Sequence, residues 1–372
     1  MPRGRLLLLA GGGLGLRVGL WTGLARAGVH DAVGPVAQHG IIMALGFLGT
    51  LIALERAVAL RAGWSYIGPA LSAVSVVWLL AGLPDVGAGI ALTVAGVVVT
   101  AVYAVTLRRH VEGHLAVMAA GAIAWVVAAG LWTSGWSPVR LAPALAAFLV
   151  LTIVGERLEL SRLRTPSAAV RRQLLVAAGT FGVGAAGALA IRPVGLVVMG
   201  VGLLAQTAWL VRHDVARVTI RMSGLPRFAA ACLLGGYAWL AVSGVLWIAV
   251  ALDAGGWLVH DAALHALFLG FVMSMVMGHA PIILPAVLGI ALPHRAAAWV
   301  PLGLLHASLA VRVGADLAGS VWLRGWAAHG NVTALLVFVG LAVVTATSAT
   351  RADGYPRRPS PVGDASPAAT VR

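Results

Sequence analysis

The segment from His265 to His279 (HALFLGFVMSMVMGH) carries an imidazole at each end of thirteen almost entirely apolar residues. The two histidines are fourteen positions apart, close to four helical turns, so their rings face nearly the same side and lie ~21 Å apart along a helix. A buried neutral imidazole needs a hydrogen-bond partner or a metal, and a haem iron can supply the latter. One helix cannot place both axial ligands on one haem, so a second histidine at the depth of His265 must come from another helix.

His39 meets this requirement, because it begins another apolar run (HGIIMALGF) at the depth expected for His265. The pattern predicts that His39 and His265 are the axial ligands of a haem b; the alternative is that each is a hydrogen-bonded packing residue. Three further histidines in or beside apolar runs are weaker candidates for metal ligands: His279, His306 and His329.

Two methionines share helix faces with these histidines. Met43 follows His39 by four residues, and Met275 precedes His279 by four. Thioether and imidazole together suit copper(I), which makes copper a second metal to consider. Methionine also fills irregular apolar gaps, and this structural reading is retained as the alternative.

Charged residues in the apolar runs also have two readings. Arg312 and Asp316 stand at positions i and i+4. The guanidinium of Arg312 either pairs with that aspartate or binds a haem propionate through its fork of donors. The Glu55–Arg56 and Glu156–Arg157 pairs lie at the ends of such runs, where long side chains reach the membrane surface at little cost.

These residues are carried by a very apolar chain. It is 60% hydrophobic and only 10% charged, with a mean hydropathy of +0.96. Apolar runs of about 18 or more residues are typical of membrane-spanning helices, and the alternation expected of a membrane β-barrel is missing. The single cysteine, Cys232, excludes a disulfide framework. We therefore predict an all-α polytopic membrane protein whose first partner is the lipid bilayer.

Twelve transmembrane helices are predicted, joined by short connections. They lie near residues 6–27, 36–58, 66–83, 87–107, 114–134, 141–160, 173–191, 193–212, 225–251, 259–286, 298–318 and 329–349. Residues 1–350 thus form a single transmembrane domain. The Pro-, Ser- and Arg-rich tail 351–372 is expected to be disordered and cytoplasmic.

The arginines predict the orientation. If the N-terminus is inside, only Arg26, Arg140, Arg192 and Arg324 of the loop arginines fall outside. The positive-inside rule therefore places both termini in the cytoplasm. The net charge of +14 is explained by these loops and needs no nucleic-acid partner. Every basic residue is arginine, which suggests GC-rich coding and the cytoplasmic (inner) membrane of a bacterium.

An internal repeat is visible. FLGTLIALERAVAL (47–60) aligns with FLVLTIVGERLELS (148–161), and the two segments end spans 2 and 6. This spacing predicts a repeated four-helix unit, with span 10 as the second helix of a third copy.

Two stretches resemble a known family. His39 with GIIMALGF, and His265-Ala-Leu with Gly270, Met273 and Gly278-His279, resemble the nitric-oxide-response membrane proteins of the NnrS family. The resemblance covers parts of two helices plus the span count. It implies a twelve-span protein that contains haem and copper.

A looser similarity is to the catalytic subunit of haem–copper oxidases, which has twelve helices and low-spin haem ligands on helices 2 and 10. His39 and His265 lie on those helices here. The oxidases also carry copper-ligating histidines on helices 6 and 7, whereas spans 6 and 7 of this chain have none. The similarity therefore implies a single bis-histidine haem rather than an oxygen-reducing centre.

The sequence thus favours a membrane protein that binds haem b, with copper as the second candidate metal, and that acts with a redox partner in electron transfer or nitric-oxide-related metabolism. Two alternatives remain. One is a secondary transporter without cofactor, in which His39, Arg312 and Asp316 would line a substrate path. The other is an assembly or scaffold protein of a respiratory complex, with the histidines as packing residues.

Overall fold

The computed structural model describes residues 3–164, 166–289 and 293–353, and every regular element in these ranges is helical. Twelve helices are long and apolar enough to span a membrane, so the predicted fold class and span count are confirmed. They are α1 Arg3–Arg26, α2 His39–Leu60, α3 Gly63–Leu80, α4 Asp85–Arg109, α5 Gly113–Thr133, α6 Pro138–Leu160, α7 Ala168–Ala190, α8 Arg192–His213, α9 Gly224–Ala251, α10 Gly256–Val287, α11 Ala296–Ala318 and α12 Val321–Ser348.

The C-terminal helix is longer than its spanning part. The α-helix that contains α12 continues to Asp353, beyond the predicted domain end at residue 350. The rest of the predicted disordered tail, 354–372, lies outside the described residues.

Three helices form the centre of the bundle. Helix α6 is buried along most of its length, and it contacts both α2 and α10, which also contact each other. The surrounding helices present apolar side chains outward, as expected of lipid-facing surfaces. Helices α2, α6 and α10 are the second helices of the three predicted four-helix units. Three repeated units around one axis would bring their second helices together at the centre.

The two aligned Glu-Arg pairs meet at one end of this central trio. The guanidinium of Arg56 contacts Glu55 and lies 3.2 Å from the carboxylate of Glu156. We call this end of the bundle the Arg56 end. The opposite end, where α2 begins, is called the His39 end. The four arginines predicted to share one side of the membrane lie at helix ends on the His39 end: Arg26, Arg140, Arg192 and Arg324.

Two central helices contain a π-helical segment that begins within three residues of a candidate ligand. In α2 the segment is Ile42–Gly49, three residues after His39; in α10 it is Ala266–Val272, which begins at the residue after His265. Wider π turns inside α-helices are frequent at functional sites. No other π-helical segment occurs in the parts of the chain that the structure describes.

Glycines allow the closest helix contacts in the periphery. A Cβ atom on Gly195 of α8 would lie 2.0 Å from the backbone nitrogen of Ala188 in α7, and one on Gly184 would lie 2.2 Å from the backbone nitrogen of Met199. Backbone atoms cannot move aside as a flexible side chain can. The α7–α8 contact therefore depends on residues without a Cβ.

Substituting Gly195 with alanine is expected to destabilise the protein by about 1–3 kcal/mol, the usual cost of overpacking. Thermal unfolding in detergent measures the effect. Gly179 in α7 provides the control, because its added Cβ meets no atom within 4 Å. If Gly195→Ala were as stable as Gly179→Ala, α7 and α8 would be able to move apart around the new methyl group without loss of stability.

Candidate functional site

A large cavity opens at the His39 end of the bundle. It contains about 1200 Å³ of atom-free space, including its open mouth. Cofactor sites are usually concave and mostly apolar with a few polar groups, and this cavity has that character. Its walls come from α1, α2, α6, α10 and α12, with one side chain from α11. The polar residues that line it are Arg26, His39, Asp261, His265, Arg312 and Asn331.

His39 and His265 both line this cavity. They approach it from different central helices. Helix α10 begins at Gly256, before the predicted start at residue 259, so His265 lies deeper along its helix than the predicted span implied. The cavity nevertheless brings the two imidazoles to one space.

The ring of His39 is held by α1. Its Nδ1 atom lies 3.0 Å from the carbonyl oxygen of Gly19 and 3.2 Å from the hydroxyl of Thr22. A carbonyl only accepts hydrogen bonds, so Nδ1 of His39 carries the proton. Its Nε2 atom is then the unprotonated nitrogen, and it has no hydrogen-bond partner among the described residues.

His265 is held in the same way by its own helix. Its Nδ1 atom lies 2.8 Å from the carbonyl oxygen of Asp261, one turn earlier, and 3.4 Å from a carboxylate oxygen of the same residue. The carbonyl again fixes the proton on Nδ1, and Nε2 has no hydrogen-bond partner within the described chain. An Nδ1–H bonded to a carbonyl with a free Nε2 is the usual arrangement of a metal-ligating histidine.

Glycines on α1 create the room that these side chains need. A Cβ on Gly23 would lie 3.0 Å from Cε1 of His39, and one on Gly19 would lie 2.1 Å from the sulfur of Met43. One turn earlier in α1, a Cβ on Gly15 would lie 3.1 Å from backbone atoms of α2. These glycines of α1 thus serve close packing against α2.

A ring of four charges closes the side of the cavity next to His265. Arg312 lines the cavity, but its guanidinium is engaged by two carboxylates: Nη2 lies 2.5 Å from Asp261 and Nε lies 3.2 Å from Asp316. Arg324 spans the same two aspartates, at 3.0 and 3.2 Å. The i,i+4 pairing predicted for Arg312 and Asp316 is therefore present, within a larger cluster that the sequence did not reveal.

Arg26 is a cavity residue that sequence reasoning missed. It ends α1, lines the cavity and makes no ion pair with any described carboxylate. Its guanidinium lies 5.6 Å from the ring centroid of Trp257, and Arg324 lies at the same distance from that ring. The terminal position of Arg26 was interpreted only as a topology signal. It is the cation at this cavity that remains available for an anionic group.

His279 lies away from this cavity, toward the Arg56 end. Its Nδ1 atom is 2.6 Å from the carbonyl oxygen of Met275, and its Nε2 atom is 2.5 Å from the guanidinium of Arg157. Both ring nitrogens are therefore engaged by protein groups. The structure brings His279 to the polar cluster of the Glu-Arg pairs and gives no free nitrogen for a metal.

His306 and His329 do not line the cavity either. Nδ1 of His306 accepts a hydrogen bond of 2.8 Å from the indole of Trp239, and its Nε2 has no partner among the described residues. His329 is exposed on α12, with Nδ1 2.9 Å from the carbonyl oxygen of Gly325. Neither histidine is joined to another ligand-type side chain, and no group of three or more His, Cys, Asp or Glu that could hold a metal ion occurs in the described ranges.

Comparison with known proteins identifies a family without an assigned activity. A family model described as "Domain of unknown function (DUF8744)" matches residues 5–347. No curated protein matches the chain. The resemblance of the α2 and α10 motifs to the nitric-oxide-response proteins is not tested by this match and stays a prediction.

Proposed function

This chain belongs to the DUF8744 family, and we propose that it is a multi-pass membrane protein that binds one haem b between His39 and His265 and transfers electrons. One observation carries the proposal. Two histidines from different central helices line the same cavity, each with Nδ1–H held by a backbone carbonyl and Nε2 without a partner among the described residues. This is the donor set of a bis-imidazole haem iron.

The remaining cavity residues suit the rest of a haem. Its walls are largely apolar and include Met43, Leu145, Phe268 and Leu335, which would pack on a porphyrin face. Haem also carries two propionates. Arg26 is the better partner for one of them, because Arg312 is already paired with two carboxylates.

Two filled axial positions favour electron transfer over substrate binding at the metal. When bound, the haem supplies a one-electron couple, and the protein supplies the axial nitrogens, the apolar surround and the cation. Copper is the second candidate for the same donors, because Met43 lines the cavity beside His39. A role in nitric-oxide-related metabolism rests on the sequence resemblance alone.

The same proposal includes an orientation. Most loop arginines lie on the Arg56 side of the bundle, whereas four lie at the His39 end. The positive-inside rule then places the termini in the bacterial cytoplasm and the cavity on the external side of the inner membrane. The redox partner would therefore reach the haem from outside the cytoplasm.

Filling the cavity wall without removing a ligand is expected to weaken haem binding. In Gly23→Leu, the new Cβ alone would lie 3.0 Å from Cε1 of His39, and the larger side chain adds further volume to the cavity wall. Overpacking of this kind costs about 1–3 kcal/mol, which corresponds to a loss of affinity of roughly ten- to a hundred-fold. Titration of haem b into the detergent-purified protein, followed by its Soret band, measures the change.

Gly13→Leu is the matched control on the same helix. An added Cβ at Gly13 meets no atom within 4 Å, and this residue is exposed. The control variant is expected to bind haem like the wild type. If Gly23→Leu also bound haem with unchanged affinity, the haem would not lie beside His39 in this cavity.

A further inference from the structure

We propose that Asp261 is a positioning residue that sets the orientation and electron donation of His265, and that the ring of Asp261, Asp316, Arg312 and Arg324 exists to fix its carboxylate. This inference rests on the proposed haem site. It assigns a role to four buried charges that haem binding alone does not require.

Asp261 contacts the candidate ligand at two points. Its backbone oxygen lies 2.8 Å from Nδ1 of His265, and its Oδ2 atom lies 3.4 Å from the same nitrogen. One aspartate one helical turn earlier thus provides both a carbonyl acceptor and a negative charge beside the ligand's N–H. The carboxylate has this effect only if it stays in place.

The ring of charges holds that carboxylate. Oδ2 of Asp261 is contacted at 2.5 Å by Nη2 of Arg312 and at 3.0 Å by Nη2 of Arg324. Asp316 closes the ring, because it lies 3.2 Å from Nε of each arginine. Two carboxylates and two guanidiniums balance in charge, and all four residues are at most 9% exposed.

Burying four charges is expensive, and a set of apolar residues of the same volume is often at least as stable. The ring is therefore a costly way to join α10, α11 and α12. Its geometry does, however, fix the carboxylate of Asp261 in one position. That position is the one beside His265.

The two candidate ligands consequently differ. His39 has only neutral partners at Nδ1, the carbonyl of Gly19 and the hydroxyl of Thr22. His265 has a carboxylate in addition. A carboxylate near Nδ1–H raises the basicity of the imidazole, which stabilises ferric over ferrous iron and lowers the reduction potential.

The test is a redox titration of the haem-loaded protein. Asp261→Asn keeps the backbone acceptor and the side-chain size but removes the charge beside His265. We expect the midpoint potential of this variant to shift to a more positive value, with the bis-histidine absorption spectrum retained. An unchanged potential in haem-loaded Asp261→Asn would overturn the inference and leave the haem proposal intact.

Asp316→Asn is the matched control. It removes the same charge from the same ring, but among the described residues Asp316 pairs with the two arginines and forms no hydrogen bond or ion pair with His265. A smaller shift than in Asp261→Asn is expected, and equal shifts would indicate a general charge effect and contradict the positioning role.

A second pair of variants keeps the test decisive if Asp261→Asn does not accumulate. Asp261→Glu and Asp316→Glu both retain the charge and lengthen the side chain. Only the first moves the carboxylate relative to His265, so only the first is expected to change the potential. If neither changes it, the inference is wrong. If wild-type protein binds no haem, the proposed function itself fails.

Discussion

Replacing His265 with alanine is expected to abolish the b-type absorption spectrum of the purified protein, and replacing His39 is expected to do the same. Each substitution removes one of the two proposed axial nitrogens, and no other imidazole lines the cavity in the described part of the chain. Loss of an outer-shell partner already costs about 10–100-fold in metal affinity, so loss of a ligand is expected to cost more. Haem content per chain and the reduced absorption spectrum measure the result.

His329→Ala provides the matched control for both variants. His329 also has Nδ1 bonded to the carbonyl four residues earlier, but it is exposed on α12 and does not line the cavity. The control is expected to keep its full haem content. Retention of haem with an unchanged spectrum in either His39→Ala or His265→Ala would remove that residue from the site.

Replacing Arg312 with alanine is expected to cause a large loss of stability. The substitution leaves the buried carboxylates of Asp261 and Asp316 with only Arg324 between them. Removing one partner from a buried ion-pair network costs about 3–5 kcal/mol, because the charge left behind is uncompensated. Thermal unfolding of the detergent-solubilised, haem-free protein measures the loss without any contribution from the cofactor.

Arg162→Ala supplies the comparison with an ion pair at the surface. Arg162 contacts Glu112, and the two side chains are 47% and 42% exposed. Exposed pairs contribute about 0–1 kcal/mol, so this variant is expected to unfold close to the wild-type temperature. A destabilisation of Arg312→Ala no greater than that of Arg162→Ala would mean that water reaches the ring of four charges.

Hydropathy was sufficient to predict the twelve helices, because the bilayer thickness fixes the length of an apolar run that spans it. Depth along these helices predicted a shared site for His39 and His265, because residues at one level of neighbouring spans can line one cavity, and both residues line the same cavity in the structure. The pairing required no knowledge of which helices touch.

Contacts between segments that are distant in the chain could not be predicted from the sequence. Arg157 and His279 are 122 positions apart, and their contact at 2.5 Å left His279 without the free nitrogen that a ligand needs. No sequence pattern marked Asp261 as a site residue, because the two arginines that pair with it come from α11 and α12. The role of Arg26 was concealed by its helix-end position, where arginine is common for topological reasons alone.

The π-helical segments were also unpredicted. Ile42–Gly49 and Ala266–Val272 have the same apolar composition as ordinary transmembrane helix, so their sequence does not distinguish them. Their positions next to the two candidate ligands became meaningful only in the folded bundle.

The central claim is that the cavity at the His39 end holds a haem b. The most direct measurement is the dithionite-reduced minus oxidised absorption spectrum of the full chain, purified in detergent after expression with ample haem and analysed for metal in the same preparation. We expect the sharp α and Soret bands of a bis-histidine b-type cytochrome, with one iron per chain. A colourless protein without iron would contradict the claim, and substrate-dependent thermal stabilisation of that protein would then support the transporter alternative.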